Sequence, residues 1–158
     1  MKMKLKVLGF VGIALVMLAS YKSDKKNNTS EVRFYDGTYD DLLRESRKQK
    51  KPIILEFWAT WCIPCRKMEN ETFADPDFAA YINKNFLVYK VNIDTFDGMD
   101  IADRYNIDAY PTLVLLDSKN KYINRFKGFF PAYFLKRELE KNKSRITKDF
   151  LTSTAVNN

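Results

Sequence analysis

No histidine occurs anywhere in this chain, and its only cysteines are Cys62 and Cys65. Those two absences exclude a tetrahedral zinc shell, since a Cys-x-x-Cys half-site would have no third or fourth nitrogen or sulfur ligand to close it. No apolar run reaches the ~20 residues of a comfortable membrane span. No sign of charge dominates either. The formal net charge is +7, but setting aside Lys2, Lys4 and Lys6 leaves 24 basic against 20 acidic side chains. The remaining basic residues are scattered, and the modest run over residues 136–148 reads as the solvated face of a helix. A nucleic-acid partner is therefore excluded. No internal repeat is visible. What remains is 46% hydrophobic and 15% aromatic, enough for one well-packed domain with extensions.

Lys2, Lys4 and Lys6 precede an apolar and glycine stretch over residues 7–19. A basic start followed by a short apolar run has the form of a secretory signal, so export to the periplasm or cell envelope is expected. Leu18-Ala19-Ser20 resembles the opening of a bacterial lipoprotein box, but Tyr21 stands where the lipid-modified cysteine would be, which excludes lipidation there. Residues 1–20 are expected to act as a signal peptide or an N-terminal anchor. Residues 21–30 are polar and unpatterned, and read as a tether. The folded domain is expected over 31–145 and a tail over 146–158.

Within that domain Val32-Arg33-Phe34 alternates as a short edge strand ended by Asp36-Gly37. Thr38 followed by Asp41 has the spacing of a cap and opens a helix through about Gln49, with Leu42, Leu43 and Ser46 inward. Residues 53–58 are branched and aromatic on both faces, the pattern of a central strand covered by helices on both sides. The helix that continues from Cys65 through Arg66-Lys67-Met68-Glu69 is expected to break near Thr72-Phe73. Asp75-Pro76 restarts it, with Asp as cap and Pro at the first helical position. A second buried strand spans residues 86–94, and Asp97-Gly98 precedes a short helix. Residues 112–116 and 122–127 form two further strands. Pro131 opens a last helix with Phe134, Leu135 and Leu139 facing in.

The chemistry gathers at Cys62-Ile63-Pro64-Cys65. Two thiols at this spacing allow one thiolate to attack a disulfide while the other resolves the mixed disulfide. At a helix N-terminus the free N–H groups and partial positive charge favour the thiolate. A purely structural disulfide is the alternative, but so short a loop constrains the unfolded chain little. Glu56 is the one acid in the central strand, and a carboxyl there either pairs, is neutral or has a task.

Glu56-Phe57-Trp58-Ala59-Thr60-Trp61-Cys62-Ile63-Pro64-Cys65, Lys90-Val91-Asn92-Ile93-Asp94, Tyr105-Asn106-Ile107 followed by Tyr110-Pro111-Thr112, and Gly128 together resemble the thioredoxin superfamily over about residues 31–141. The resemblance implies an α/β thioredoxin fold, a central mixed sheet with helices on both faces. Cys65-Arg66-Lys67-Met68-Glu69, then Thr72-Phe73-Ala74-Asp75-Pro76 and Gly128-Phe129, resemble the C-terminal periplasmic domain of DsbD-type thiol:disulfide interchange proteins and its stand-alone relatives.

The resemblance also implies roles. Cys62 would be the nucleophile and Cys65 the resolving thiol. Glu56 would lie beneath Cys65 and shuttle its proton, with Lys90 holding the acid's charge state. Pro111 would be cis and place the Tyr110 backbone beside Cys62, where an extended substrate adds main-chain hydrogen bonds. Trp61, Ile63 and Phe129 would rim the sulfur, Pro64 would tune it, and Trp58 would be core. No metal is expected, and no cofactor beyond the redox-active Cys62–Cys65 pair. Oxidising members of the superfamily place histidine where Pro64 stands, so the resemblance implies a reductase. A reductant in an oxidising compartment needs a source of electrons, which implies a DsbD-type membrane donor as partner alongside protein substrates bearing disulfides. A monomer is expected. Two other functions fit the same residues: an envelope disulfide oxidase or isomerase, and a redox-inert peptide-binding or assembly module.

Overall fold

A strand with no polar face has to be covered on both sides, and Ile53–Trp58 (β1) is the strand so covered. In the computed structural model, which describes residues 31–155 with side chains through residue 143, β1 runs through the middle of a four-stranded sheet. It pairs in parallel with Leu87–Asn92 (β2) and antiparallel with Thr112–Leu116 (β3), which pairs antiparallel with Tyr122–Lys127 (β4). The order is β2-β1-β3-β4. Residues 1–30, which carry the expected signal or anchor and the tether, lie outside the described residues.

The two-residue period of the strands sorts their side chains between two cores. Ile53, Leu55 and Phe57 meet Leu42 of the helix Tyr39–Gln49 (α1) and Ile101 and Ala102 of a later helix, Phe96–Arg104. Ile54 points the other way, with Val88, Leu113 and Leu115, toward Met68, Phe78 and Ile82 and toward Leu135 and Leu139. Met68 opens a π-helical segment, Met68–Phe73, that extends a short helix Ile63–Lys67 (α2), and the others come from the helices Pro76–Asn85 (α3) and Ala132–Ala155. Phe96–Arg104 is α4 and Ala132–Ala155 is α5. Each fully buried Leu, Ile or Phe in these layers contributes about 1.5–3 kcal/mol of transfer free energy, the main force closing helices onto the sheet.

Local chemistry sets the helix ends. Thr38 Oγ1 accepts the Asp41 N–H at the start of α1, and Lys50 ends it in the left-handed region at φ 53°. Asp75 accepts the Phe78 N–H at the start of α3, with Pro76 in its first turn as the sequence indicates. Helix α4 begins earlier than Asp97-Gly98 suggests, because Thr95 Oγ1 accepts the Gly98 N–H and caps it. Gly98 thus sits inside the first turn, packed on the end of β2. A Cβ there would lie 1.8 Å from the Asn92 carbonyl oxygen. Gly98→Ala is expected to cost about 1–3 kcal/mol as α4 is pushed off the sheet, read as a fall in the urea midpoint.

Three sequence expectations need correction. Val32-Arg33-Phe34 forms no strand, only a single bridge between Phe34 and Val88. The Arg33 N–H is taken by the side chain of Asn83 instead of a neighbouring strand. The helix after Cys65 does end at Thr72-Phe73 as expected, its last stretch, Met68–Phe73, being π-helical. Strand β2 lies at the edge of the sheet and buries only Val88 and Val91 fully. Helix α5 continues through Ala155, so most of the segment expected as a tail is helical.

Candidate active site

The chain leaves β1 at Trp58 and turns once before α2. Within that turn the Cys62 N–H donates to the Ala59 carbonyl at 3.2 Å. Cys62 has extended backbone and caps α2, while Ile63 and Pro64 form the first turn. Its Sγ accepts the Cys65 N–H at 3.2 Å, and the two cysteines form a disulfide with Cα atoms 5.3 Å apart. The backbone donor that accepts charge from Cys62 is therefore in place before the bond opens, which lowers the cost of a thiolate at that sulfur. Cys62 and Cys65 are 3% and 4% exposed, whereas Trp61 and Ile63 beside them are 62% and 71% exposed. Pro64 is exposed as well. The sulfurs lie just under an apolar rim.

One carboxylate holds that rim. Asp94 Oδ2 accepts from both the N–H and the hydroxyl of Thr60 at 2.8 Å, and Oδ1 accepts from the Trp61 indole at 3.0 Å. The Thr60 bonds, backbone first, hold the Asp94 carboxyl below its ordinary range. Trp61 meets Tyr110 edge-on, with ring centroids 5.9 Å apart. Tyr110 also packs against the cluster of Ala59, Cys62 and Cys65, and the Tyr110–Pro111 peptide bond is cis. The Pro111 carbonyl accepts the Gly128 N–H at 2.7 Å, at a turn where Gly128 has φ +91° and no side chain would fit the backbone without strain.

Phe129 belongs elsewhere. It packs on the larger core, with Lys67 Nζ 4.5 Å above its ring, not in the cluster that holds the sulfurs. The Thr72 hydroxyl, which donates to the Phe130 carbonyl at 2.6 Å, ties this loop to the π-helical segment. Trp58, expected as core, is instead part-exposed and packs against the cysteine cluster.

Glu56 is 1% exposed, and its register partner on β2 is Lys90, so both side chains leave the sheet on one face. Lys90 Nζ lies 4.0 Å from Glu56 Oε2 but 2.5 Å from Glu69 Oε2. It also sits 4.8 Å from the centroids of both the Phe34 and Trp58 rings. Lys90 lies beside Glu56, as the resemblance implies, but its hydrogen bond goes to Glu69, and among the described residues nothing donates to Glu56 Oε2. Burial pushes the Glu56 carboxyl up to about 8, with Lys90 pulling it down and Glu69 pushing it further up. At neutral pH this acid is protonated.

A cleft of about 430 Å³ between Gly37–Asp40 and α4 shares no residue with this site. The cysteines lie instead just beneath exposed Trp61 and Ile63, apolar side chains that a protein segment can cover.

A family model for the thioredoxin-like domain matches residues 39–143. The chain belongs to the thioredoxin-like family. Thioredoxin Y2, chloroplastic, of Arabidopsis thaliana is 34% identical to it over 109 residues, covering 65% of this chain and 56% of the relative. The thiol:disulfide interchange protein DsbD of Vibrio vulnificus is 29% identical over 118 residues, covering 70% of this chain and 20% of the relative. The chain thus spans about half the length of the first and a fifth of the second. A solved thioredoxin from Thermus thermophilus superposes with a TM-score of 0.63 at 25% identity, over 70% of this chain and 86% of that one. This thioredoxin-like domain carries a Cys-x-x-Cys disulfide where its strand-to-helix turn exposes a rim, the arrangement that thiol–disulfide exchange requires.

Asp94 and Glu69 carry no role in the sequence alone, and Trp58 is expected there in the core. Asp94 closes the strand motif but gives no sign that it reaches Thr60 and Trp61 across the sheet edge. Glu69 is four residues beyond Cys65, which brings it back to the Cys65 side of a helix, and that spacing was the available signal. Trp58 follows from strand alternation, since it shares the face of Ile54 and Glu56.

Proposed function

We propose that this chain is an exported thiol–disulfide oxidoreductase that reduces protein disulfides through Cys62 and Cys65. The observation that carries the reading is a Cys-x-x-Cys pair capping α2 beneath exposed Trp61 and Ile63, with Tyr110 and Pro111 alongside. In the reaction the Cys62 thiolate attacks one sulfur of a substrate disulfide, forming a mixed disulfide and releasing the other as a thiolate. Cys65, giving up its proton, then attacks Cys62 Sγ, the mixed disulfide breaks, and the second substrate sulfur leaves as a thiolate that solvent protonates. Two electrons pass from the dithiol to the substrate. The Cys65 proton goes to the Glu56 carboxylate, which stores it as the buried acid described above.

Trp61, Ile63, Tyr110 and the Pro111 backbone would hold the substrate strand, while Phe129 supports the rim from the core side. The Lys2-Lys4-Lys6 start and the apolar residues 7–19 support export. Pro64 beside Cys65, in a chain without histidine, supports the reducing direction. Work in an oxidising compartment then calls for re-reduction by a membrane dithiol donor of the DsbD type.

The test is catalysed reduction of a protein disulfide, with dithiothreitol as the terminal reductant. The chain at micromolar concentration should accelerate reduction well above the rate with dithiothreitol alone. A rate equal to that of dithiothreitol alone would remove the reading and leave a binding module in its place.

A further inference from the structure

The geometry around Lys90 assigns a role to a residue outside the reacting pair. We propose that Glu69 is a positioning residue that holds Lys90 away from Glu56 and thereby keeps Glu56 protonated while Cys62 and Cys65 are joined. Lys90 stands between two carboxylates with an ammonium that can satisfy only one closely. It is bonded to Glu69 at 2.5 Å and stops 4.0 Å short of Glu56. The Phe34 and Trp58 rings, each 4.8 Å from Nζ, flank the ammonium, which stays part-exposed between the two acids. Lys90 from β2 and Glu69 from the π-helical segment are the charged groups that act on Glu56, and its other register neighbour, Leu113 of β3, is apolar. A buried carboxylate facing that apolar side would have no cation, whereas the neutral acid has no such need.

The π-helical segment gives the arrangement its reach. Glu69, its second residue and four beyond Cys65, reaches Lys90, while Met68 beside it stays in the core. Glu69 is also half-exposed, so it faces both Lys90 and solvent, and a 350 Å³ cleft lined by Glu69, Phe34 and Phe73 opens next to it.

The consequence for catalysis rests on the proposed redox function. When a donor thiolate attacks Cys62 Sγ, the Cys62–Cys65 bond breaks and Cys65 leaves with its electron pair. It takes the Glu56 proton to become a thiol, and the new Glu56 carboxylate draws Lys90 from Glu69. Reduction of substrate runs the same steps backwards, so the lysine moves between the acids once per turnover.

The experiment follows the Glu56 side-chain carboxyl by carbon-13 NMR titration in the oxidised full chain. Glu69→Gln should lower its midpoint by about one pH unit or more, because Lys90 is then free to pair with Glu56. Glu69→Asp, which keeps a carboxylate for Lys90, should hold the midpoint near that of the parent. In a Lys90→Gln background the Glu69→Gln shift should shrink to less than half. An unchanged midpoint in Glu69→Gln, or the same drop with and without Lys90, would overturn the proposal, the latter by reducing Glu69 to a simple repelling charge. These titrations need no substrate. A protein that titrates as expected yet reduces no disulfide would therefore contradict the proposed function and leave the role of Glu69 standing.

Discussion

Replacing Cys62 by serine is expected to abolish protein-disulfide reduction, a loss of at least about a thousandfold, because a serine hydroxyl is not ionised near neutrality and cannot act as a thiolate does. The companion change, Cys65→Ser, should have a different outcome. Cys62 keeps its position as the cap of α2, so the first attack still proceeds and the mixed disulfide forms. With no thiol to resolve it, that species should accumulate in a one-to-one ratio and be visible by mass as protein plus substrate. The asymmetry comes from the local geometry: Cys62 caps the helix and accepts the Cys65 N–H, whereas Cys65 lies within the helix and its sulfur caps nothing. Equal trapping by both single variants would mean that either sulfur can open the exchange. Both variants lack the disulfide, so circular dichroism of each sets the folded baseline.

The second large effect concerns stability. Glu56 binds its proton up to about 8 in the folded chain against an ordinary 4.5, since burial disfavours the carboxylate. Between those values the unfolded chain has lost the proton and the folded one has kept it. The unfolded state therefore binds fewer protons, and the free energy of unfolding falls as pH rises, by about 1.4 kcal/mol per pH unit. Below this window both states are protonated and above it both are ionised, so the contribution is flat at either end. The oxidised protein should lose a few kcal/mol of stability between pH 5 and 8 through this one residue. Glu56→Gln replaces the acid by a neutral group of the same shape and should flatten that decline, while slowing disulfide exchange for want of the proton carrier. Urea unfolding of both proteins across this range isolates the term as their difference. Parallel curves would mean that Glu56 is already ionised when folded, paired after all with Lys90.

The cysteine pair, the buried acid, the Asp75-Pro76 restart of α3 and the glycine before the last helix were legible because each depends on local chemistry: thiol spacing, a carboxyl in an apolar strand, a capping side chain, a positive φ. The partners of the site were harder to read. Which carboxylate captures Lys90 depends on side-chain reach between β2 and the segment Met68–Phe73, which their separate sequence patterns do not state. Phe129 and Trp58 changed places relative to expectation for a similar reason. Trp58 continues the alternation of β1 toward the cysteines, while Phe129 lies after the Gly128 turn, whose direction depends on the bond to Pro111. Val32-Arg33-Phe34 alternates as a strand should, but a side chain of α3 takes its backbone donor. Local propensity was right there and tertiary competition overrode it.

The central claim is that Cys62 and Cys65 form a reducing dithiol. The most direct measurement is the reduction potential of that pair, by equilibration against glutathione and dithiothreitol buffers with the two forms separated by thiol alkylation. A value at or below about −230 mV, among the reductases of this superfamily, is the predicted result and directs attention to the electron donor. A value above about −180 mV would contradict the reducing direction and make disulfide formation or shuffling the function of the same site.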